Sequence, residues 1–161
     1  MSAADVRRAK RLNQNALYWG VSLKLTLPAD LESRLAGLGD AIATACPDVV
    51  FAYLFGSAAI GRLSPRSDVD IAVFAAPETD GHAAQLSTVR AAARHLGTDA
   101  IDVVLLNTVP VSVAGRVLGS RRVLLDRDPF ARHRYESATA RLFQDFRIRE
   151  HRLLAQREVH G

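Results

Sequence analysis

In 161 residues there is one cysteine, one methionine and one tryptophan, and only Lys10 and Lys24 among the 21 basic residues are lysines. The lone thiol, Cys46, excludes an internal disulfide and any zinc site built on cysteine pairs, which points to a reducing cytoplasm. No apolar run approaches the ~18 residues of a membrane span. The basic opening with Arg7, Arg8, Lys10 and Arg11 leads into ALYWGVSLKL, which Lys24 interrupts and which lacks a small-residue cleavage site. No membrane partner is therefore expected. Aromatic residues amount to 6% and do not interleave with the basic ones, as a stacking platform for single strands would require. Arginine suits phosphate, but a net charge of +4 spread along the chain reads as a solvated surface, so direct nucleic-acid binding is not expected.

What is present is a core. Hydrophobic residues make up 48% of the chain, enough for one globular domain. At this length roughly 68–70% of the unfolded surface can be buried without covalent staples. Residues 1–27 form an N-terminal extension that is hard to read, although VSLKLTL alternates as an edge strand would; 28–161 read as a single domain. Neither part shows an internal repeat.

Pro28 and Asp30 open a predicted helix that carries Leu31, Leu35, Leu38 and Ile42 at helical spacing and stops at Pro47-Asp48. VVFAYLF (Val49 to Phe55) is short, continuously apolar and rich in strand formers. A second strand is predicted over Asp68 to Phe74, then an alanine-rich helix over Ala83 to Leu96 ended by Gly97, then a third strand over Ala100 to Leu106. Val109 to Leu118 reads as a short helix and Arg121 to Leu125 as a short strand. Asp128-Pro129 begins a helix reaching about His151, with Leu142, Phe143, Phe146, Leu153 and Leu154 as its apolar stripe. Strands alternating with helices indicate an α/β (α+β) domain, a mixed β-sheet flanked by helices and closed by a C-terminal helix.

Between the first two strands lies GSAAIGRLSPRSDVD: Gly56-Ser57, ten residues, then Asp68 and Asp70. Side chains alternate along a strand, so the two aspartates share one face while Val69, Ile71 and Val73 take the other. Adjacent carboxylates repel unless a cation lies between them. Mg²⁺, with Mn²⁺ as a substitute, suits one or two carboxylates plus substrate phosphates. Asp102, in the third strand, becomes a third acid if that strand pairs beside the second. All three are then candidate metal ligands and catalytic groups for an in-line displacement. Glycine lets the Gly56-Ser57 backbone approach a triphosphate closely, and Arg62 and Arg66 can add charge-assisted contacts. The pattern is what nucleotidyl transfer from an NTP needs.

YLFGSAAIGRLSPRSDVDIAVF resembles the signature of the DNA polymerase β-like nucleotidyltransferase superfamily, and more narrowly that of the minimal nucleotidyltransferase (MNT) antitoxins. AIDVVLLN is similar to the strand that bears their third carboxylate, which makes Asp102 the matching acid, and VLLDRDPFARHRYESATARLFQDF looks like their closing segment. The resemblance implies Mg²⁺ on Asp68 and Asp70, ATP as substrate, and a partner, a HEPN-family RNase toxin silenced by AMP transfer to a tyrosine. Homo- or hetero-oligomers are both compatible with it. Those toxins carry Arg, four residues, His, any residue, Tyr; here Arg127, His133 and Tyr135 have a five-residue gap and read as coincidence. Three other functions remain open from the sequence: modification of a small molecule, as in aminoglycoside nucleotidyltransferases, occlusion of a partner without catalysis, and nucleic-acid binding through the arginine-rich ends.

Overall fold

Two continuously apolar runs become the central strands of the sheet. The computed structural model describes residues 27–64 and 67–159, so all but the last residue of the N-terminal extension, and Arg66, lie outside the described residues. The elements are α1 (Leu31–Leu35), α2 (Leu38–Ala45), β1 (Val49–Phe55), α3 (Gly56–Ala59), β2 (Val69–Ala75), α4 (Gly81–Leu96), β3 (Ile101–Leu105), α5 (Val111–Ser120), β4 (Arg122–Asp126) and α6 (Pro129–Val159). The sheet order is β3-β2-β1-β4. β1 runs antiparallel to both β2 and β4, whereas β2 and β3 are parallel and joined through α4. This is the mixed sheet with a C-terminal helix that the sequence suggested.

Each sheet face has its own core. On one face Ala52, Leu54, Val69, Ile71, Val73 and Ile101 pack under helices α1, α2 and α4 through Leu35, Leu38, Ile42, Ala92 and Leu96. Val49 joins this face because the β1–β2 register shifts between Val49 and Phe51. Burying a side chain such as Leu38 or Ile42, both 0% exposed, contributes about 1.5–3 kcal/mol each. On the other face Phe51, Tyr53, Ala72 and Val117 are covered by α5 and the first turns of α6. Phe51 stacks on Phe74 at 4.7 Å, and the Tyr135 ring lies tilted against both at 5.7 and 5.3 Å.

Local chemistry sets the helix ends. Asp80 caps α4 by accepting from the N–H groups of His82 and Ala83, and Gly97 ends it at φ +71. Asp128 accepts from the Ala131 N–H at the start of α6. The single helix expected from Leu31 to Cys46 is two, broken at Ala36-Gly37. His95 Nε2 lies 2.8 Å from the Arg34 carbonyl, and a Cβ at Gly37 would meet His95 Cε1 at 3.1 Å. The chain bends there to receive α4. The stripe expected on α6 is also corrected. Leu142 is 60% exposed, Phe143 and Phe146 are half-buried, and the side chains of Leu153 and Leu154 lie outside the described set.

Candidate active site

β1 ends where its apolar run ends. Phe55 is the antiparallel partner of Asp70, and the next residue, Gly56, turns the chain at φ +66 into the four-residue helix α3. A Cβ on Gly56 would lie 2.3 Å from Asp70 Oδ2, so only glycine lets the turn sit against that carboxylate. The Gly56 N–H donates to Ser120 Oγ at 3.2 Å, fixing the turn to the C-terminal end of α5. Ser57 belongs to α3, and its carbonyl accepts from the Arg62 N–H at 2.9 Å.

The parallel pairing of β2 and β3 makes Asp70 and Asp102 register partners. Neighbouring strands lie ~4.8 Å apart and partners project to the same side, so both carboxylates leave one face. It is the face of Ala72, Phe74 and Val104, whereas Val69, Ile71, Ile101 and Val103 enter the opposite core. Both aspartates are half-buried. Asp68, also half-buried, precedes β2 by one residue. Just ahead of it Ser64 and Ser67 staple the connection, with the Ser64 N–H donating to Ser67 Oγ at 3.0 Å and the two hydroxyls 2.8 Å apart. Arg62 is exposed on the same connection.

The donor set fits a hard cation. It consists of carboxylate oxygens on one face, beside a turn kept open by the missing Cβ of Gly56. Among the described residues no three His, Cys, Asp or Glu side chains gather as a metal-binding group. A cation here would draw the rest of its oxygen shell from nucleotide phosphates and water, the usual arrangement for Mg²⁺.

A family model described as polymerase beta, nucleotidyltransferase matches residues 40–130, which contain the turn and all three acids. The chain belongs to the polymerase beta nucleotidyltransferase family. No curated protein matches it. Several solved structures share the fold of this nucleotidyltransferase. A toxin–antitoxin with AMP-PNP superposes with a TM-score of 0.61 at 23% identity over 81% of this chain and 98% of the other. A tri-AMPylated Shewanella oneidensis HEPN toxin in complex with MNT antitoxin gives 0.59 at 20% identity over 81% and 99%. The toxin–antitoxin MntA-HepT gives 0.58 at 20% identity over 81% and 99%.

Ser120 was not found from the sequence, because nothing local marks a serine that bonds a glycine 64 positions away. The charged network behind the turn was also missed. Tyr53 Oη donates to Glu136 Oε1 at 2.8 Å, and the same oxygen accepts from Arg121 at 3.0 Å and Arg132 at 3.1 Å. Burial pushes the Glu136 carboxyl up, but the hydrogen bonds from Arg121, Tyr53 and Arg132 outweigh it and hold it below its ordinary value. Burial, then the bond to Glu136, pushes the Tyr53 phenol far up. Arg132 also pairs with Asp126 at 2.8 Å, whose Oδ1 is buried without a hydrogen-bond partner among the described residues. The residues of the apparent toxin motif are occupied separately. Arg127 donates to the carbonyls of Cys46, Pro47, Val49 and Ala43, Tyr135 Oη donates to the Leu106 carbonyl, and the His133 side chain is 66% exposed.

Proposed function

We propose that this chain is a cytoplasmic antitoxin that transfers AMP from ATP to a tyrosine hydroxyl of a HEPN-family RNase toxin. The observation that carries the reading is the pairing of Asp70 with Asp102 directly beside the Gly56 turn. The acceptor oxygen attacks the α-phosphorus in line, a new P–O bond forms, the bond to pyrophosphate breaks, and the acceptor proton passes to Asp102. Asp68 and Asp70 are the residues that would hold Mg²⁺. When bound, the ion supplies charge neutralisation for the phosphates. The Gly56-Ser57 backbone orients the triphosphate, with Arg62 and Arg66 supplying positive charge from the connection. Such a site works by positioning and electrostatics, so few side chains suffice.

Support comes from the family of the chain and from its structural neighbours, one a toxin–antitoxin with AMP-PNP and another containing a tri-AMPylated HEPN toxin. ATP labelled at the α-phosphate, offered in parallel with a HEPN toxin and with a panel of aminoglycosides, tests the reading. Label on the toxin supports it, and label on an aminoglycoside alone replaces it with small-molecule modification. Toxin neutralisation that survives Asp68→Asn with Asp70→Asn replaces it with occlusion by contact.

A further inference from the structure

Helix α6 has 31 residues and α5 has 10, lengths of about 46 and 15 Å. They pack against each other, and a Cβ on Gly115 would fall 2.1 Å from the Phe143 ring. Around this contact the two helices enclose an open groove of about 760 Å³. Its floor is apolar, formed by Leu118 of α5 with Ala140, Phe143 and Ile148 of α6. Ile148 is 44% exposed. The rim carries Arg121, Arg147 and Arg152. Glu136, at the inner end, is engaged by Arg121, Arg132 and Tyr53, so the positive charge of the rim is carried by the exposed Arg147 and Arg152 of α6.

We propose that this groove docks an amphipathic helix with acidic flanks, supplied by the protein acceptor. The groove residues of α6 recur at helical spacing, from Glu136 and Ala140 through Phe143 and Arg147 to His151, a track about 22 Å long. A helix laid along such a track uses apolar side chains at i, i+3, i+4 and i+7 as anchors. Arg147 and Arg152 select carboxylates bidentately and disfavour basic flanks. The inner end of the groove also touches the active site through the backbone. Arg121 lines the groove, and the residue before it, Ser120, holds the Gly56 N–H. A helix seated there delivers its protein to the neighbourhood of the nucleotide turn.

The inference rests on the preceding section for the acceptor being a protein. Gly119 lines the groove, and a Cβ added there meets no atom within 4 Å, so Gly119→Trp fills the groove with little strain on the fold. Arg147→Glu with Arg152→Glu reverses the rim at exposed positions. The probes are two labelled helical peptides of ~18 residues, one with a leucine face and glutamate flanks, the other with lysine flanks, read by fluorescence anisotropy. The glutamate peptide is expected to bind at least tenfold tighter than the lysine peptide. Both variants are expected to lose at least tenfold in affinity for it while binding AMP-PNP as the parent does. Equal affinity for the two peptides, or unchanged binding by both variants, overturns the proposal. So does a wild-type dimer that Gly119→Trp dissociates, because the occupant is then a second copy, or displacement of the peptide by single-stranded RNA. Labelled-AMP transfer to the toxin is measured alongside. Peptide binding without transfer counts against the function alone, and transfer without peptide binding counts against the groove alone.

Discussion

Gly56→Ala is the sharpest perturbation of the site, because it puts a methyl group in place of a hydrogen where there is no room. Gly56 sits at φ +66, where a residue with a Cβ costs about 1–2 kcal/mol. The new Cβ would also lie 2.3 Å from Asp70 Oδ2, so either the turn or the carboxylate must move. Overpacking of that kind adds about 1–3 kcal/mol. Together they amount to roughly 2–5 kcal/mol, a fall of about 4–20 °C in Tm for a chain of this size. Gly61 supplies the control, since it has the same φ of +66 but a Cβ there would meet nothing within 4 Å. Gly61→Ala should cost only the backbone part, about 1–2 kcal/mol. Thermal unfolding with and without Mg²⁺ and AMP-PNP gives both readings. Gly56→Ala should unfold lower than Gly61→Ala and lose most of the ligand-induced rise in Tm, which Gly61→Ala should keep. Equal Tm values with equal ligand shifts would refute the claim that the turn is packed against the Asp70 carboxylate for a reason.

Asp102→Asn should lower AMP transfer by orders of magnitude more than it lowers ATP binding; equal losses in labelled-transfer kinetics and calorimetry would make Asp102 a binding or folding residue. Arg127→Ala removes a guanidinium that donates to the carbonyls of Cys46, Pro47, Val49 and Ala43. It should cost about 2–4 kcal/mol in urea unfolding while leaving ATP affinity per folded molecule unchanged. The depressed Glu136 carboxyl contributes stability that is present above its ordinary value of 4.5 and is lost as pH falls through its lower folded value. The parent should therefore lose stability between about pH 5 and 3 more steeply than Glu136→Gln. Parallel unfolding curves across that range would remove Glu136 from the account.

Most of this architecture was legible because its signals are local. Val49–Phe55 is bounded by Pro47-Asp48 and Gly56, and the end of α4 by Gly97, so these limits follow from turn chemistry. The start of α4 differs: it begins at Gly81, two residues before the expected Ala83, because Asp80 caps it. Placing Asp70 and Asp102 side by side needed only that β3 lie next to β2, which the intervening α4 favours. What was not legible depends on contacts distant in sequence. The break at Gly37 answers to His95, the Ser120 hydroxyl to Gly56, and Tyr53 to Glu136, 83 positions away. The stripe assigned to α6 failed for another reason. Among the described side chains of this helix only Thr139 is buried, and Leu142 is 60% exposed.

Mass spectrometry of a HEPN toxin, intact, after incubation with this chain, ATP and Mg²⁺ bears most directly on the nucleotidyl-transfer claim. The toxin should gain one or more AMP units on tyrosine, and should gain none with Asp70→Asn plus Asp102→Asn or in excess EDTA. An unmodified toxin beside a chain that binds ATP, or a toxin still modified by the double variant, would contradict the account.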